Sequence, residues 1–225
     1  MKMSFVLLAT MLAAGTAHSA SQAQFDKAMS HDGLQPVQVK GLSLAYKRPD
    51  ATLAGYKRVS IDPVEVRFAK DWKPTQTGSR LPVSAAQRED IRTGLAKLVR
   101  DEFEKALAEK GRYPVVNESG PDVLRLRINI VNLYVNAPDT GSAPPSYTFN
   151  MSAGEMTLFM ELFDSESGQI LARVVDREQA RSPAMAGMAN GVSNVDAAQG
   201  IATEWARILR DAFDRAHAIP QPKKL

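Results

Sequence analysis

Residues 123–135 read VLRLRINIVNLYV, and the alternation in this stretch indicates how the chain folds. The apolar and polar side chains fall on opposite faces: Leu124, Leu126, Ile128 and Ile130 against Arg125, Arg127 and Asn129. Because successive side chains of a strand point to opposite sides, the stretch predicts a strand with one buried face. The alternation changes phase near Val131, which predicts a β-bulge there.

Other segments alternate in the same way. Residues 155–163 and 170–176 flank the turn DSESG at 164–168, so they predict an antiparallel hairpin. Residues 56–68 also alternate, and Pro63 interrupts them because proline cannot donate a ladder hydrogen bond. The sheet therefore has at least four strands.

Two long amphipathic helices are predicted beside these strands. Ser84 and Gln87 have the spacing of a capping box and begin the first helix, which Gly111 ends. The second helix covers residues 195–216, with Ser193 at its N-terminus in a second capping box. The predicted fold is α+β: a mixed or antiparallel sheet of four or more strands, covered on one face by the two long amphipathic helices.

Residues 1–20 have the three regions of a cleavable signal peptide. Lys2 provides the positive charge, residues 5–14 form an apolar run, and small residues follow up to Ala20. The run is shorter than the roughly 20 residues that cross a bilayer, so we expect cleavage, a periplasmic location and no transmembrane segment afterwards. Thr16 stands where a lipoprotein carries its acylated cysteine, so no lipid anchor is expected.

The rest of the chain divides into three parts by composition. Residues 21–55 show little periodicity and are predicted to form an irregular arm, with a short strand at 42–46 as the one element considered there. Residues 56–217 form the single α+β domain, and residues 218–225 form a polar tail.

Composition narrows the function. The 225 residues include no cysteine, which excludes disulfides and thiolate metal sites. Lys and Arg total 28 against 25 Asp and Glu, an excess too small and too dispersed to predict a nucleic-acid partner. His18 lies in the signal region, and His31 and His217 are expected to be solvated surface residues. Neither a catalytic residue, a metal site nor a cofactor is predicted.

Three side chains form a candidate ligand or structural site. Asp62 precedes Pro63 within an apolar strand, where it could accept hydrogen bonds at a turn or project into a site. Arg125 and Arg127 lie opposite the core face and could bind an anion such as a phosphate or a cell-wall carboxylate. Structural roles, namely turn formation and local ion pairs, are the simpler interpretation of all three.

The chain resembles the bacterial envelope family catalogued as domain of unknown function 3313. The resemblance rests on YKRVSIDPVEV at 56–66, YPVV at 113–116 and GPDVLRLR at 120–127, and extends from about Asp32 through the last helix. Many members of that family look like lipoproteins, from which Thr16 distinguishes this chain. The family implies an envelope location and supplies no catalytic residues.

Two functions are considered. The first is a non-enzymatic periplasmic binding or assembly module that engages an envelope protein through a sheet edge or through the loops at 136–152 and 182–193. The second loop carries Met185 and Met188, whose exposed thioethers would suit a partner contact. The alternative is a hydrolase, or a binder of a small ligand or anion, that uses Asp62 and the face with Arg125 and Arg127.

Overall fold

The computed structural model describes residues 29–73, 83–135, 155–179 and 191–218, with side chains in the last range from Val195 onward. In chain order the elements are β1 (Gln35–Val37), β2 (Leu44–Lys47), β3 (Arg58–Ile61), β4 (Glu65–Phe68), α1 (Ala85–Ala108), a 3₁₀ turn (Glu109–Gly111), β5 (Val123–Tyr134), β6 (Glu155–Asp164), β7 (Ile170–Gln179) and α2 (Gly191–Ala216).

The seven strands form one mixed sheet. Its order is β1-β2-β7-β6-β5-β3, and β4 pairs with β5 on the same side as β3. Strands β3 and β4 run parallel to β5, while the remaining pairs are antiparallel. The predicted α+β class, the mixed sheet and the β6–β7 hairpin are therefore confirmed.

Strand β5 has the predicted alternation. Its apolar face is fully buried at Leu124, Leu126, Ile128 and Ile130. The pairing register with β6 shifts between Val131 and Tyr134, and the backbone is left-handed at Asn132 (φ 52°). The phase change in the sequence thus corresponds to a real irregularity in the strand.

The segment around Pro63 is divided as predicted. Strand β3 pairs with the first part of β5, up to Ile61 opposite Leu126, and β4 begins its pairing with Glu65 opposite Asn129. The three residues between the two strands are not in strand conformation. Because proline lacks the N–H that the ladder needs, the break falls at Pro63.

The N-terminal arm contains two strands, where the sequence considered one short strand at 42–46. Strand β2 overlaps that segment and pairs with β7 from Leu44 opposite Val175 to Lys47 opposite Ala172, whereas β1 was not expected. The arm thus extends the sheet on the β7 side. Strand β1 has only three residues, too few to show periodicity in the sequence.

Both helices contribute to the core of the sheet. Phe103 of α1 and Trp205 of α2 belong to the same buried hydrophobic cluster as the apolar face of β5. The capping box of Ser84 and Gln87 is present, with both reciprocal hydrogen bonds. Helix α2 begins at Gly191, before the predicted start, so Ser193 lies within the helix and is not its cap.

Several predicted segments lie outside the described residues. They are the signal peptide at 1–20, the loop at 136–152, the part of the loop at 182–193 that precedes α2, and the polar tail from residue 219.

Tyr56 connects the segment before β3 to the end of β6, because its hydroxyl donates to Asp164 Oδ2 at 3.0 Å. Burial, together with the hydrogen bond to this carboxylate and its charge, raises the pKa of Tyr56 to about 12. Since an unfolded tyrosine has a pKa of about 10, the tyrosine contributes stability that is fully present below pH 10 and lost as the pH rises towards 12.

We therefore expect the free energy of unfolding of Tyr56→Phe to fall less than that of the wild type as the pH rises from 10 to 12. Urea unfolding at a series of pH values in this window measures the effect as the slope of unfolding free energy against pH. Equal slopes for the two proteins would contradict this assignment.

Candidate functional site

The three predicted site residues meet on the sheet face opposite the helices' hydrophobic cluster. Arg125 donates from Nε and Nη2 to the two carboxylate oxygens of Asp62, at 2.8 and 2.9 Å. Arg127 Nε lies 3.5 Å from Asp62 Oδ2, and its guanidinium lies 4.9 Å from the centre of the Phe163 ring. The hydrogen bonds that Arg125 donates to Asp62 raise the pKa of Arg125.

The charges continue across the neighbouring strands. Glu161 on β6 lies 3.6 Å from Arg127 Nη1 and accepts hydrogen bonds from Arg173 on β7 at 2.8 and 2.9 Å. Arg173 also donates to Asp32 Oδ2 and to the carbonyl of Met29, both at 2.7 Å. We call this series, Asp62, Arg125, Arg127, Glu161, Arg173 and Asp32, the ion-pair ladder.

The ion-pair ladder changes from half-exposed to buried along its length. The side chains of Arg125 and Arg127 are 41% and 44% exposed, whereas those of Arg173 and Glu161 are 6% and 10% exposed. Each arginine in the ladder faces at least one carboxylate, and Asp62 has both oxygens occupied by Arg125. This geometry matches the local ion pairs that the sequence favoured over an anion site.

The buried end of the ladder was not identified from the sequence. Glu161 and Arg173 face each other across the β6–β7 hairpin, so their pairing depends on its register. Asp32 lies 141 residues from Arg173 in the chain. A signal was present, since Glu161 interrupts an otherwise apolar strand and Arg173 interrupts another. A charge at such a position requires a partner, because an unpaired buried charge is costly.

A second feature that sequence reasoning missed is an apolar cavity of about 500 Å³. Its walls come from the segment 37–53, from strands β6 and β7, and from α2. Leu42, Leu53, Met160, Leu171, Ile208 and Leu209 represent its apolar lining. Lys47 and Arg215 are the charged members of this lining, and both are exposed, so they lie at the solvent side of the cavity.

Asp176 on β7 holds two walls of the cavity together. It is 2% exposed, and its Oδ1 accepts hydrogen bonds from the backbone N–H and the hydroxyl of Ser43, at 2.8 and 2.6 Å. Its Oδ2 accepts the indole N–H of Trp205 on α2 at 2.7 Å. The buried carboxylate is thus satisfied by donors from the N-terminal arm and from the helix.

Two acidic residues of the helices are buried. From the sequence, one of them was expected on a solvated face and the other was not singled out. Glu102 of α1, part of a pair assigned to a charged face, accepts from Gln199 and Thr203 of α2 at 2.8 Å each. Asp214 of α2 is fully buried and accepts from Arg112 and from the hydroxyl of Tyr113. Burial and the Asp214 carboxylate raise the pKa of that tyrosine.

The two histidines in the described part of the chain lie in different environments. His31 is 59% exposed in its side chain, as predicted, and lies 3.0 Å from Asp32. His217 is half-buried instead of solvated, because its ring packs near Tyr113 and Phe213, with Nδ1 2.9 Å from the Phe213 carbonyl. The aromatic residues that surround it come from two separate segments, which a lone histidine in a polar sequence does not reveal.

The described residues contain no group of three or more His, Asp or Glu side chains placed to hold a metal ion. Within the same ranges, neither helix combines the length and the hydrophobicity that crossing a membrane requires. Met185 and Met188, the predicted partner contacts, lie outside the described residues.

These features define a mixed-sheet α+β protein with a paired-charge face and an apolar cavity beside its C-terminal helix. The chain belongs to the family described as protein of unknown function, DUF3313, whose match extends over residues 23–209. None of the curated proteins matches the sequence.

The solved structures that the chain matches include a protein of family DUF330 from Xanthomonas campestris, at 13% identity and a TM-score of 0.41, over 71% of this chain and 87% of that one. The PelC dodecamer from Paraburkholderia phytofirmans is similar at 8% identity and a TM-score of 0.35, over 78% and 96%. A protein from Chlamydia trachomatis has 11% identity and a TM-score of 0.32, over 73% and 97%. Similarity at this level gives no information on ligand or activity.

Removal of one partner from the buried end of the ion-pair ladder is expected to destabilise the fold. Arg173→Met leaves Glu161 buried without its main partner, so we expect a loss of about 3–5 kcal/mol in unfolding free energy. Arg177→Met, four positions along the same strand, removes an exposed partner of Glu155 and should change stability little. Urea unfolding measures both variants.

The double variant Arg173→Met with Glu161→Met separates charge from packing. It should recover part of the loss, because neither buried charge of that pair remains. Equal stability of the Arg173→Met and Arg177→Met variants would show that the ladder does not support the fold.

Proposed function

We propose that this chain is an exported, non-enzymatic binding protein of the bacterial cell envelope, and that it binds a small hydrophobic ligand. The observation that carries the proposal is the apolar cavity between the N-terminal arm, the sheet and α2. Its volume of about 500 Å³ lies within the range of roughly 300–1,000 Å³ that is usual for small-molecule sites.

The chemistry of the cavity supports binding over catalysis. Aliphatic side chains dominate the lining, and no carboxylate or imidazole belongs to it among the described residues. Such a surface stabilises a ligand mainly by removing apolar area from water, at about 25 cal/mol per Å².

The proposed architecture places the cavity within a layered fold. In it, α1 and α2 cover one face of the sheet, since their buried side chains share a cluster with Leu124 and Ile128 of β5. The ion-pair ladder then lies on the other face. Strand β2 of the arm pairs with β7, and the arm thereby forms a wall of the cavity in addition to the wall that α2 forms.

The location in this proposal rests on the sequence. Residues 1–20 act as a cleaved signal peptide, and Thr16 removes the possibility of acylation, so the mature protein is periplasmic and unanchored. Contact with an envelope protein through the loop that contains Met185 and Met188 stays a prediction. So does the alternative of a hydrolase or an anion binder built on Asp62, Arg125 and Arg127.

The export proposal predicts the mass of the mature protein. Intact-mass measurement of the protein from a periplasmic fraction should show cleavage between Ala17 and Ser21, without an added acyl group. Retention of residues 1–20, or an acyl mass, would contradict this part of the proposal.

The binding proposal predicts saturable uptake of a neutral apolar probe. N-phenylnaphthylamine should bind the mature protein with increased fluorescence, and Ala212→Phe should weaken its binding about tenfold or more by filling the cavity from α2. Ala108→Phe, at the exposed end of α1, is the matched control and should bind as the wild type does.

Circular dichroism of both variants checks that they are folded. Absence of saturable probe binding to the wild type, or unchanged binding by folded Ala212→Phe, would overturn the proposed function.

A further inference from the structure

We infer that the cavity selects amphiphiles with one alkyl chain and an anionic head group. This inference rests on the proposed function, since it assigns a ligand class to the same cavity. The alkyl chain would occupy the apolar lining, and the head group would lie at the solvent side beside Lys47 and Arg215.

The two cations belong to different walls of the cavity. Lys47 is the last residue of β2 in the arm, and Arg215 lies in the last turn of α2. Both are exposed, and no ion pair joins either of them to another residue in the described ranges. A head group beside them would therefore meet two positive charges for which the described part of the chain supplies no ion-pair partner.

Among the described residues, Arg215 has no ion pair, in contrast to the other arginines of α2. Arg207 pairs with Glu204 and Asp211, and Arg210 pairs with Glu109 of α1 and with Asp211. Asp214, the carboxylate next to Arg215 in sequence, is directed to Arg112 instead. The carboxylates of α2 named here thus pair with other arginines, and Arg215 lies at the cavity.

The chemistry of the two side chains favours an oxyanion over other head groups. The guanidinium of Arg215 offers paired donors that match a carboxylate or phosphate, and the ammonium of Lys47 adds a second charge-assisted hydrogen bond. The C-terminal end of α2 carries a partial negative charge of about half a unit, which the full charge of Arg215 outweighs. A cationic head group would be repelled by both residues.

The size of the cavity favours one alkyl chain over two. About 500 Å³ is in the lower half of the range for small-ligand sites. Several residues that line the cavity, such as Leu171 and Leu209, also belong to the hydrophobic cluster. A larger cavity would therefore require the core to open. Packed cores resist that change.

The test compares head groups on one chain. Dodecyl phosphate, dodecyl maltoside and dodecyltrimethylammonium displace the neutral probe from the full mature protein at concentrations below micelle formation. We expect dodecyl phosphate to bind about tenfold or more tightly than the maltoside, and the trimethylammonium compound to bind weakest. Added salt should reduce the preference, because the two cations are exposed.

The double variant Lys47→Gln with Arg215→Gln should reduce the affinity ratio of phosphate to maltoside to about one. A control with Lys57→Gln and Arg88→Gln removes the same charge from exposed positions outside the cavity and should keep the wild-type ratio. Comparison of the two double variants separates local recognition from the net charge of the protein.

The outcomes distinguish the two proposals. Probe binding without a head-group preference, or a preference that both double variants retain, overturns the anionic ligand class and leaves the proposed function standing. Absence of probe binding overturns the proposed function itself.

Discussion

The buried carboxylate of Asp176 connects the three parts that build the cavity. It belongs to a strand, and it accepts hydrogen bonds from Ser43 in the arm and from Trp205 in the C-terminal helix. A buried carboxylate is tolerated only when its oxygens are satisfied, so arm and helix must keep fixed positions relative to β7. The cavity lies beside these contacts, and its lining includes Leu42 next to Ser43, Trp205 itself and Val174 of β7.

The two faces of the sheet contribute differently to the fold. On one face, Leu124, Leu126 and their neighbours are fully buried together with side chains of both helices, which supplies the hydrophobic driving force for folding. On the other, the ion-pair ladder joins β5, β6, β7 and the segment before β1 through alternating charges. Buried ion pairs contribute little net stability but make their partners hard to remove, so the ladder fixes strand register more than it strengthens the fold.

The sequence predicted those features that depend on local pattern. Alternation identified β5 and its bulge, Pro63 marked the break between β3 and β4, and the capping box at Ser84 marked the start of α1. It also selected Asp62, Arg125 and Arg127, which do meet. Features that depend on distant contacts were missed. Strand β1 is too short to show a period, and the partners of Asp176 lie 133 and 29 residues away. The cavity exists only once these contacts form.

The ligand class and its position can be tested with a crystal structure of the mature protein bound to an alkyl phosphate that carries bromine at the end of its chain. We expect anomalous density for bromine inside the cavity, near Leu171 and Ile208, and the phosphate within hydrogen-bond distance of Lys47 or Arg215. Bromine outside the cavity, or a phosphate bound at Arg125 and Arg127 on the opposite face, would contradict this expectation.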